Sequence, residues 1–338
     1  MRKYRVGIAA MVHDHLWGEL AHWSKLENAE IVAAGDENEE LRAKVQAEYG
    51  VPKLYSSWQE MIESEELDIV QAAAPNNAGA EIVEACAAKG IHVISEKPMA
   101  ARLEQADRML AAAEKAGAKL MINWPTAWQP SIYWMLEMIR DGAIGDLFYL
   151  KYRAAHNGPK EIGCSEYFWK WLYDQEQNGA GALMDYCCYS SVMNSYLLGL
   201  PKRCIGFRAT LVKDYPIPDD NAMIIMHYPH AVGVAEASWT QKTETWTPNP
   251  LAYGSEGSIG VLHGKIVLHQ EGKGTKEIDP APMPEGFTSG PQHLLACIET
   301  GEEIRGVCNP EISRDAQAIL EAGLLSADRG QPITPQPY

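Results

Sequence analysis

The chain has 338 residues, 46% of them hydrophobic, which is enough for two domains with ordinary cores. Its formal net charge of -16 argues against nucleic acid or an anionic membrane as a partner, since both call for clustered Lys and Arg. No run approaches the ~20 apolar residues of a membrane span. The basic start "MRKYR" lacks the apolar core of a secretory leader. Seven cysteines are scattered without CxxC or Cys/His spacing. Reduced thiols, a cytoplasmic location and no metal site are the expectations.

The first third alternates strand and helix. "YRVGIAA" is a short apolar strand, followed by an amphipathic segment from Leu16 to Leu26. "EIVAAGD" ends at Asp36, and "ENEELRAKVQAEYG" is a helix closed by Gly50. "SSWQEMIES" is a short Ser-capped helix. "LDIVQAAAP" is a buried-type strand stopped by Pro75 and Asn76, and "NAGAEIVEACAAKG" is the next helix. "IHVISEKP" is a strand, "LEQADRMLAAAEKAG" a helix, and "KLMINW" a strand ending at Asn123 and Trp124. Such spacing predicts βαβ units: an α/β, doubly wound Rossmann-type parallel sheet over residues 1–123. Ligands of these sheets lie beyond the carboxyl ends of the strands. Residues there, including Ala10, Val12, His13, His15, Asp36, Pro75, Asn76, Glu96, Lys97 and Asn123, are therefore candidates for cofactor contact.

After Trp124 the pattern changes. The helix "SIYWMLEMIRDG" precedes the long strand "GDLFYLKYRAAH", an aromatic-rich loop, and the apolar helix "ALMDYCCYSSVMNSYLLG". From Arg203 onward come "CIGFRATLV", "NAMIIMHY", "AVGVAEASWT", "GSIGVL" and "KIVLH", several joined by short turns such as "YPHA" and "HGK". This predicts a second α/β domain, residues 124–338, with a large, mostly antiparallel open sheet. The helix "SRDAQAILEAGLLSADRG" finishes it.

Two motifs carry chemistry. In "SEKPMA", Glu96-Lys97-Pro98 closes the fifth strand, so Lys97 points into the ligand crevice. In "NGAGALMDYCCYSS", Asp185 and Tyr189 are four apart and share one helix face. Buried there, each needs a partner. Tyrosine titrates near 10 in water, so a nearby lysine ammonium would help it move a proton. The loop "AAHNGPKEIGCSEYFWKWLYDQEQ" offers His156 and Trp169, and "NWPTAW" adds Trp124. Aromatic faces with a few polar groups suit a sugar ring.

"AAAPNNAGAEIVEACAAKGIHVISEKPMA", "AGALMDYCCYSSVMNSYLLGLP" and "AYGSEGSIGV" resemble, in order and spacing, three segments of the glucose–fructose oxidoreductase / inositol dehydrogenase / rhizopine-catabolism (Gfo/Idh/MocA) family. The resemblance covers essentially the whole chain. It implies an NAD(P) fold joined to an α/β substrate domain, with hydride transfer between a sugar or polyol hydroxyl carbon and nicotinamide. Carried over by motif, Lys97 would touch the reacting oxygen and the nicotinamide, and Asp185 would orient the site. Tyr189 would be the general acid/base where many members have His. Lys97, Asp185 and Tyr189 form the catalytic set. Together with Trp124, His156 and Trp169 they form the substrate set. A homodimer or homotetramer through the open sheet is expected.

The chain departs from the family pattern at the dinucleotide turn. The three glycine positions of G-x-G-x-x-G/A fall on Ala10, Val12 and His15. Val12 places a branched side chain where backbone should approach a pyrophosphate. Helix amides with His13 or His15 as donors would compensate. Gly79 stands where many members have His, and Tyr186 and Cys187 fill the small-residue stretch of the helix motif. Asp36 sits where an acidic side chain binds the adenosine ribose and repels a 2′-phosphate, which favours NAD over NADP. Two alternatives stand beside the dehydrogenase. One is an enzyme whose tightly bound NAD serves transient oxidation during elimination or glycoside cleavage. The other is a non-catalytic binding paralogue.

Overall fold

In a computed structural model, which describes residues 3–338, the alternating first third becomes one six-stranded parallel sheet. Its strands are β1 (Tyr4–Ala9), β2 (Ala29–Gly35), β3 (Lys53–Tyr55), β4 (Ile69–Ala72), β5 (His92–Glu96) and β6 (Leu120–Asn123). Their order is β3-β2-β1-β4-β5-β6, so the winding reverses between β1 and β4, and the crevice outside that point is where such sheets hold ligands. Five helices alternate with the strands: α1 (Leu16–Trp23), α2 (Glu39–Tyr49), α3 (Trp58–Ser64), α4 (Gly79–Ala87) and α5 (Leu103–Ala116). Helix α2 starts where the Asn38 side chain accepts from the amides of Glu40 and Leu41, and stops at Gly50 in the left-handed region. Helix α1 ends three residues before the expected Leu26, where the Ser24 hydroxyl bonds back to the Leu20 carbonyl. Strand β3 has only three residues, too few to show a period.

The second sheet has eight strands: β7 (Leu147–Ala155), β8 (Arg203–Ala209), β9 (Asn221–His227), β10 (Val232–Ser238), β11 (Leu251–Gly254), β12 (Gly257–Leu262), β13 (Lys265–Gln270) and β14 (Gly274–Ile278). Their order is β14-β13-β12-β11-β7-β10-β9-β8, antiparallel except where β10 runs parallel to β7. Helices α6 (Pro130–Arg140), α9 (Ala182–Leu198) and α11 (Pro310–Arg329) cover one face. Alternation sends Cys204, Ala222, Ile224 and Met226 toward these helices. It leaves Ile205, Phe207, Met223, Ile225 and Tyr253 on the opposite, open face.

The segment read as an aromatic loop contains two short helices, α7 (Glu166–Leu172) and α8 (Gln175–Asn178), capped by Ser165 and Asp174. Helix α10 (Gly290–Thr300), absent from the sequence reading, packs on α1, β5 and β6, and α11 also touches α5 and β6. The C-terminal helices thus tie the two sheets together. Among the described residues no helix is long and apolar enough to cross a membrane.

Candidate active site

Helix α9 starts at Gly181, where any Cβ would meet the Asp219 backbone at 2.2 Å. The Asp219 carboxylate accepts from the amides of Gly181 (3.0 Å) and Leu183 (2.8 Å), capping the helix from a distant segment. This fixes Asp185 one turn in. Lys97 enters from the end of β5, and its Nζ lies 2.7 Å from Asp185 Oδ1. Both side chains are buried, Lys97 at 2% exposure. The second Asp185 oxygen accepts from the Trp239 indole N–H at 3.3 Å. Burial is the largest influence and works against the Lys97 ammonium, but Asp185, Tyr189 and Cys188 together outweigh it and hold the lysine well above its ordinary value, so the ammonium stays charged.

Tyr189 lies one turn further along α9, its ring centroid 4.9 Å from Lys97 Nζ. The expected tuning is only half right. Lys97 does pull the phenol pKa down, yet burial pushes it up by more, and the net shift is upward. Among the described residues the Tyr189 hydroxyl has no hydrogen-bond partner. The residue instead borders a cavity of about 250 Å³, also lined by Thr126, Gln129, Tyr152, Tyr186 and Asn249. Lys97 and Asp185 sit behind this cavity rather than on its wall. His156, from the end of β7, packs edge-on to Tyr186 at 4.8 Å, and its Nδ1 accepts from the Gly158 amide, so the neutral ring carries its proton on Nε2. Burial keeps it neutral.

Trp124 is not on the cavity wall. It is fully buried, donates its indole N–H to Ser313 (3.0 Å), and braces the Tyr189 ring at 6.0 Å. The physical reason is that a buried indole N–H needs a partner, and the start of α11 supplies one. Trp169 is half-buried on α7 against Tyr173, with Lys160 over its ring.

At the β1–α1 turn, Ala10 has φ 59°, the left-handed conformation that the first glycine of a dinucleotide turn supplies. Val12 is half-buried and packs against the core, so its branch is turned inward. Its own amide and that of Asp14 make no hydrogen bond among the described residues. Asp36 is buried, and its carboxylate accepts from the amides of Met11 (2.6 Å) and Asn38 (2.7 Å), pinning the turn to the end of β2. His15 Nδ1 meets Glu96 Oε2 at 2.9 Å, and Asn123 donates to Glu96 Oε1 at 2.8 Å. The buried His13 ring is hydrogen-bonded to the backbone of Lys97, and burial lowers it well below the usual range, so it stays neutral. Asn76 is spent elsewhere: its amide donates to Asn178 at the end of α8, and beside it the Pro75 carbonyl caps a turn at Ala78. Asn178 in turn holds the carbonyls of Leu172, Ala180 and Gly181, which secures the approach to α9.

The left-handed residue at position 10 and the two free amides at the head of α1 are what a dinucleotide phosphate needs from such a turn, so the residues present fit NAD. Two family models match the chain. "Oxidoreductase family, NAD-binding Rossmann fold" covers residues 6–124, and "GFO/IDH/MocA C-terminal domain" covers residues 134–260. The chain belongs to the GFO/IDH/MocA oxidoreductase family. Within the family's breadth it is similar to D-apiose dehydrogenase of Paraburkholderia graminis, 28% identical over 97% of this chain and 88% of that protein. It is also similar to D-xylose 1-dehydrogenase (NADP(+)) 2 of Haloferax volcanii, 27% identical over 90% of this chain and 91% of that one. The crystal structure of aldose-aldose oxidoreductase from Caulobacter crescentus, complexed with glycerol, shares the fold with a TM-score of 0.82 at 23% identity, over 98% of this chain and 100% of that one.

This GFO/IDH/MocA member holds functional geometry that motif reading did not reach. Asp219, Asn178 and Trp239 position the Lys97–Asp185 pair; Asp219 and Trp239 come from segments with no motif of their own, and Asn178 opens the helix motif as an unread letter. The one available signal was the pair "DD" at Asp219-Asp220, two adjacent carboxylates before a strand. Both prove to be buried backbone acceptors.

Proposed function

We propose that this chain is an NAD-dependent dehydrogenase of a sugar, sugar derivative or polyol, with Lys97, Asp185 and Tyr189 as its reacting site. The observation that carries the reading is the buried Lys97 ammonium, 2.7 Å from Asp185 and 4.9 Å from the Tyr189 ring that borders an open cavity. Bound NAD supplies the hydride acceptor. The residues that would hold it are the turn from Ala10 to His15, Asp36 and the Glu96–Lys97 end of β5. Lys97 polarises the reacting oxygen, Asp185 keeps Lys97 charged and aimed, and Tyr189 carries the hydroxyl proton. Because burial pushes the Tyr189 phenol up, its neutral form dominates at neutral pH and is ready to donate to a carbonyl oxygen. Oxidation, which needs the phenolate, gains from alkaline pH. The half-buried Tyr152 and Tyr186 and the exposed Gln129 on the cavity wall suit the C–H faces and hydroxyls of a sugar ring. Residues 1–123 serve the cofactor and 124–338 the substrate, and the protein works in the cytoplasm.

One observation favours a second reading, in which NAD stays bound between turnovers. Helix α7 lies over the dinucleotide turn: Ser165 binds Asp14 through amide and hydroxyl (2.7 and 2.6 Å), Tyr167 reaches Glu40, and Phe168 packs on His13 at 4.4 Å. The open sheet face, with Phe207 at 57% exposure beside Ile205, Met223 and Ile225, supports a homodimer or homotetramer that buries it. The test is thermal-shift titration with NAD and NADP, followed by a sugar and polyol panel read by NADH absorbance. Stabilisation by NAD and growth at 340 nm with at least one substrate are expected. No stabilisation at millimolar cofactor and no turnover across the panel would overturn the reading. NAD recovered from dialysed protein, with turnover that needs none added, would select the second reading.

A further inference from the structure

His13 and His15 flank the head of α1, and Glu96 ends β5. Their ligand atoms, one per residue, all lie within 4.8 Å of one another. A tetrahedral zinc site with bonds of about 2.0 Å holds its ligands about 3.3 Å apart, so the three groups would draw together and His13 would give up one of its bonds to the His15 amide and the Lys97 backbone. His15 Nδ1 and Glu96 Oε2 are already at 2.9 Å, and the His13 and His15 rings are 4.5 Å apart.

The surrounding charge points the same way. Glu96 is buried, and among the described residues no lysine or arginine pairs with it. Lys97, its neighbour in sequence, is spent on Asp185. Glu19, from α1, is also buried, and its Oε2 has no partner among the described residues. Its place beside Asn123 is fixed by Gly290: a Cβ there would stand 2.9 Å from Asn123 Oδ1 and 3.1 Å from Glu19 Oε2. Asn123 bridges from this point to Glu96. The Asn123 amide therefore touches both carboxyl groups, and burial beside Glu96 pushes the Glu19 carboxyl up to about 8, so that Glu19 is mostly protonated at neutral pH. Glu96 is then the buried carboxylate without a lysine or arginine partner, which is costly, and a bound divalent ion removes the cost. Phe168 and Trp171 close over His13 at 4.4 and 5.7 Å, which shields the group from bulk water.

We propose that His13, His15 and Glu96 bind a divalent transition-metal ion of the zinc class. Two imidazoles and one carboxylate are a borderline donor set that selects Zn²⁺ and its spectroscopic substitute Co²⁺ over Mg²⁺ or Ca²⁺. The ion would pin the β1–α1 turn to the end of β5, one residue from Lys97. The site shares the turn and the end of β5 that the dehydrogenase reading gives to NAD, so metal binding and cofactor binding are measured separately.

The experiment is titration of the purified full-length protein, stripped with chelator, with Co²⁺ and then Zn²⁺, followed by visible absorption and by metal content after gel filtration. One equivalent of Co²⁺ with d–d bands of a four- or five-coordinate ion, displaced by Zn²⁺, is the expected result. His15→Ala, at a half-buried position, and the isosteric Glu96→Gln should each lose that equivalent while keeping the far-UV CD of the parent. Zn²⁺ should raise the melting temperature of the parent and not of His15→Ala. Co²⁺ binding that is equal in parent and variants, or bands of sulfur-to-cobalt charge transfer, would overturn the proposal by placing the ion elsewhere. The same holds if no equivalent is retained. Because NAD binding and turnover are measured separately, failure here leaves the dehydrogenase reading standing, and the reverse is also true.

Discussion

The Lys97–Asp185 pair can be weighed by a double-mutant cycle. At 2.7 Å the two charges attract by about 6 kcal/mol for an effective dielectric of 20. Taking both ions out of water costs several kcal/mol each, so the pair gains little over apolar residues of similar size. Removing one partner is different. Lys97→Met leaves the Asp185 carboxylate buried with only the Trp239 N–H and nearby backbone. Asp185→Leu leaves an ammonium with only the residue-185 carbonyl. Each single variant should lose about 3–5 kcal/mol, and Lys97→Met/Asp185→Leu should return to within about 2 kcal/mol of the parent. Urea unfolding gives the numbers from the midpoint, provided the slope is unchanged. Because the folded-state value of Lys97 lies above its unfolded value, the pair's contribution is full below about pH 10.4 and fades as pH rises through the folded value. The Lys97→Met penalty should therefore be flat from neutral pH to pH 9 and shrink in stronger alkali, while the Asp185→Leu penalty should already fall as its unpaired, buried lysine loses its proton. Singles within about 1 kcal/mol of the parent, or a double variant equal to the sum of the singles, would refute the reasoning.

Four further outcomes are expected. Ala10→Gly should stabilise the chain by about 0.5–1 kcal/mol, as relief of the left-handed strain at φ 59° exceeds glycine's entropy cost; denaturant midpoints check it. Tyr189→Phe should lower turnover by about 10²–10⁴-fold with cofactor affinity intact, and the alkaline limb of the oxidation profile should vanish. Asp36→Ser should move the NADP-to-NAD ratio of kcat/KM by about tenfold, equal to 1.4 kcal/mol, toward NADP, and should soften the turn by freeing the Met11 amide. Phe207→Glu with Ile225→Glu should give a mass near 37.4 kDa by light scattering while the parent scatters as an assembly.

The alternation of strand and helix was legible because, β3 apart, the elements of the first sheet carry their own signal, with β4 and β6 as apolar runs buried along their whole length. The helix face shared by Asp185 and Tyr189 followed from a spacing of four. What the sequence hid was long-range. Lys97 and Asp185 are 88 positions apart, and nothing local says that they meet. The capping of α9 by Asp219, 38 positions from Gly181, is equally silent, because an acidic residue before a strand reads as a turn. The aromatic stretch was read as substrate wall. In the fold, Phe168 and Trp171 of that stretch lie over His13, and Trp124 is core. Aromatic content measures how much area a segment can bury, and it carries no information about which surface that area meets.

The dinucleotide turn shows how a motif can be altered in letters while its geometry persists. A glycine fingerprint states three physical needs: a left-handed residue, an unobstructed backbone and close packing of helix on strand. Here Ala10 accepts the left-handed conformation at a cost that Asp36 offsets by anchoring the Met11 amide. Val12 meets the second need by turning its branch into the core, which leaves its amide free. His15 replaces the third glycine and gains a partner in Glu96, so the helix head is held to the sheet by a hydrogen bond instead of by close contact. The turn is thus stiffer and more polar than a glycine turn. Its position beside Lys97 means that anything bound at His13 and His15 bears directly on the proposed reacting site.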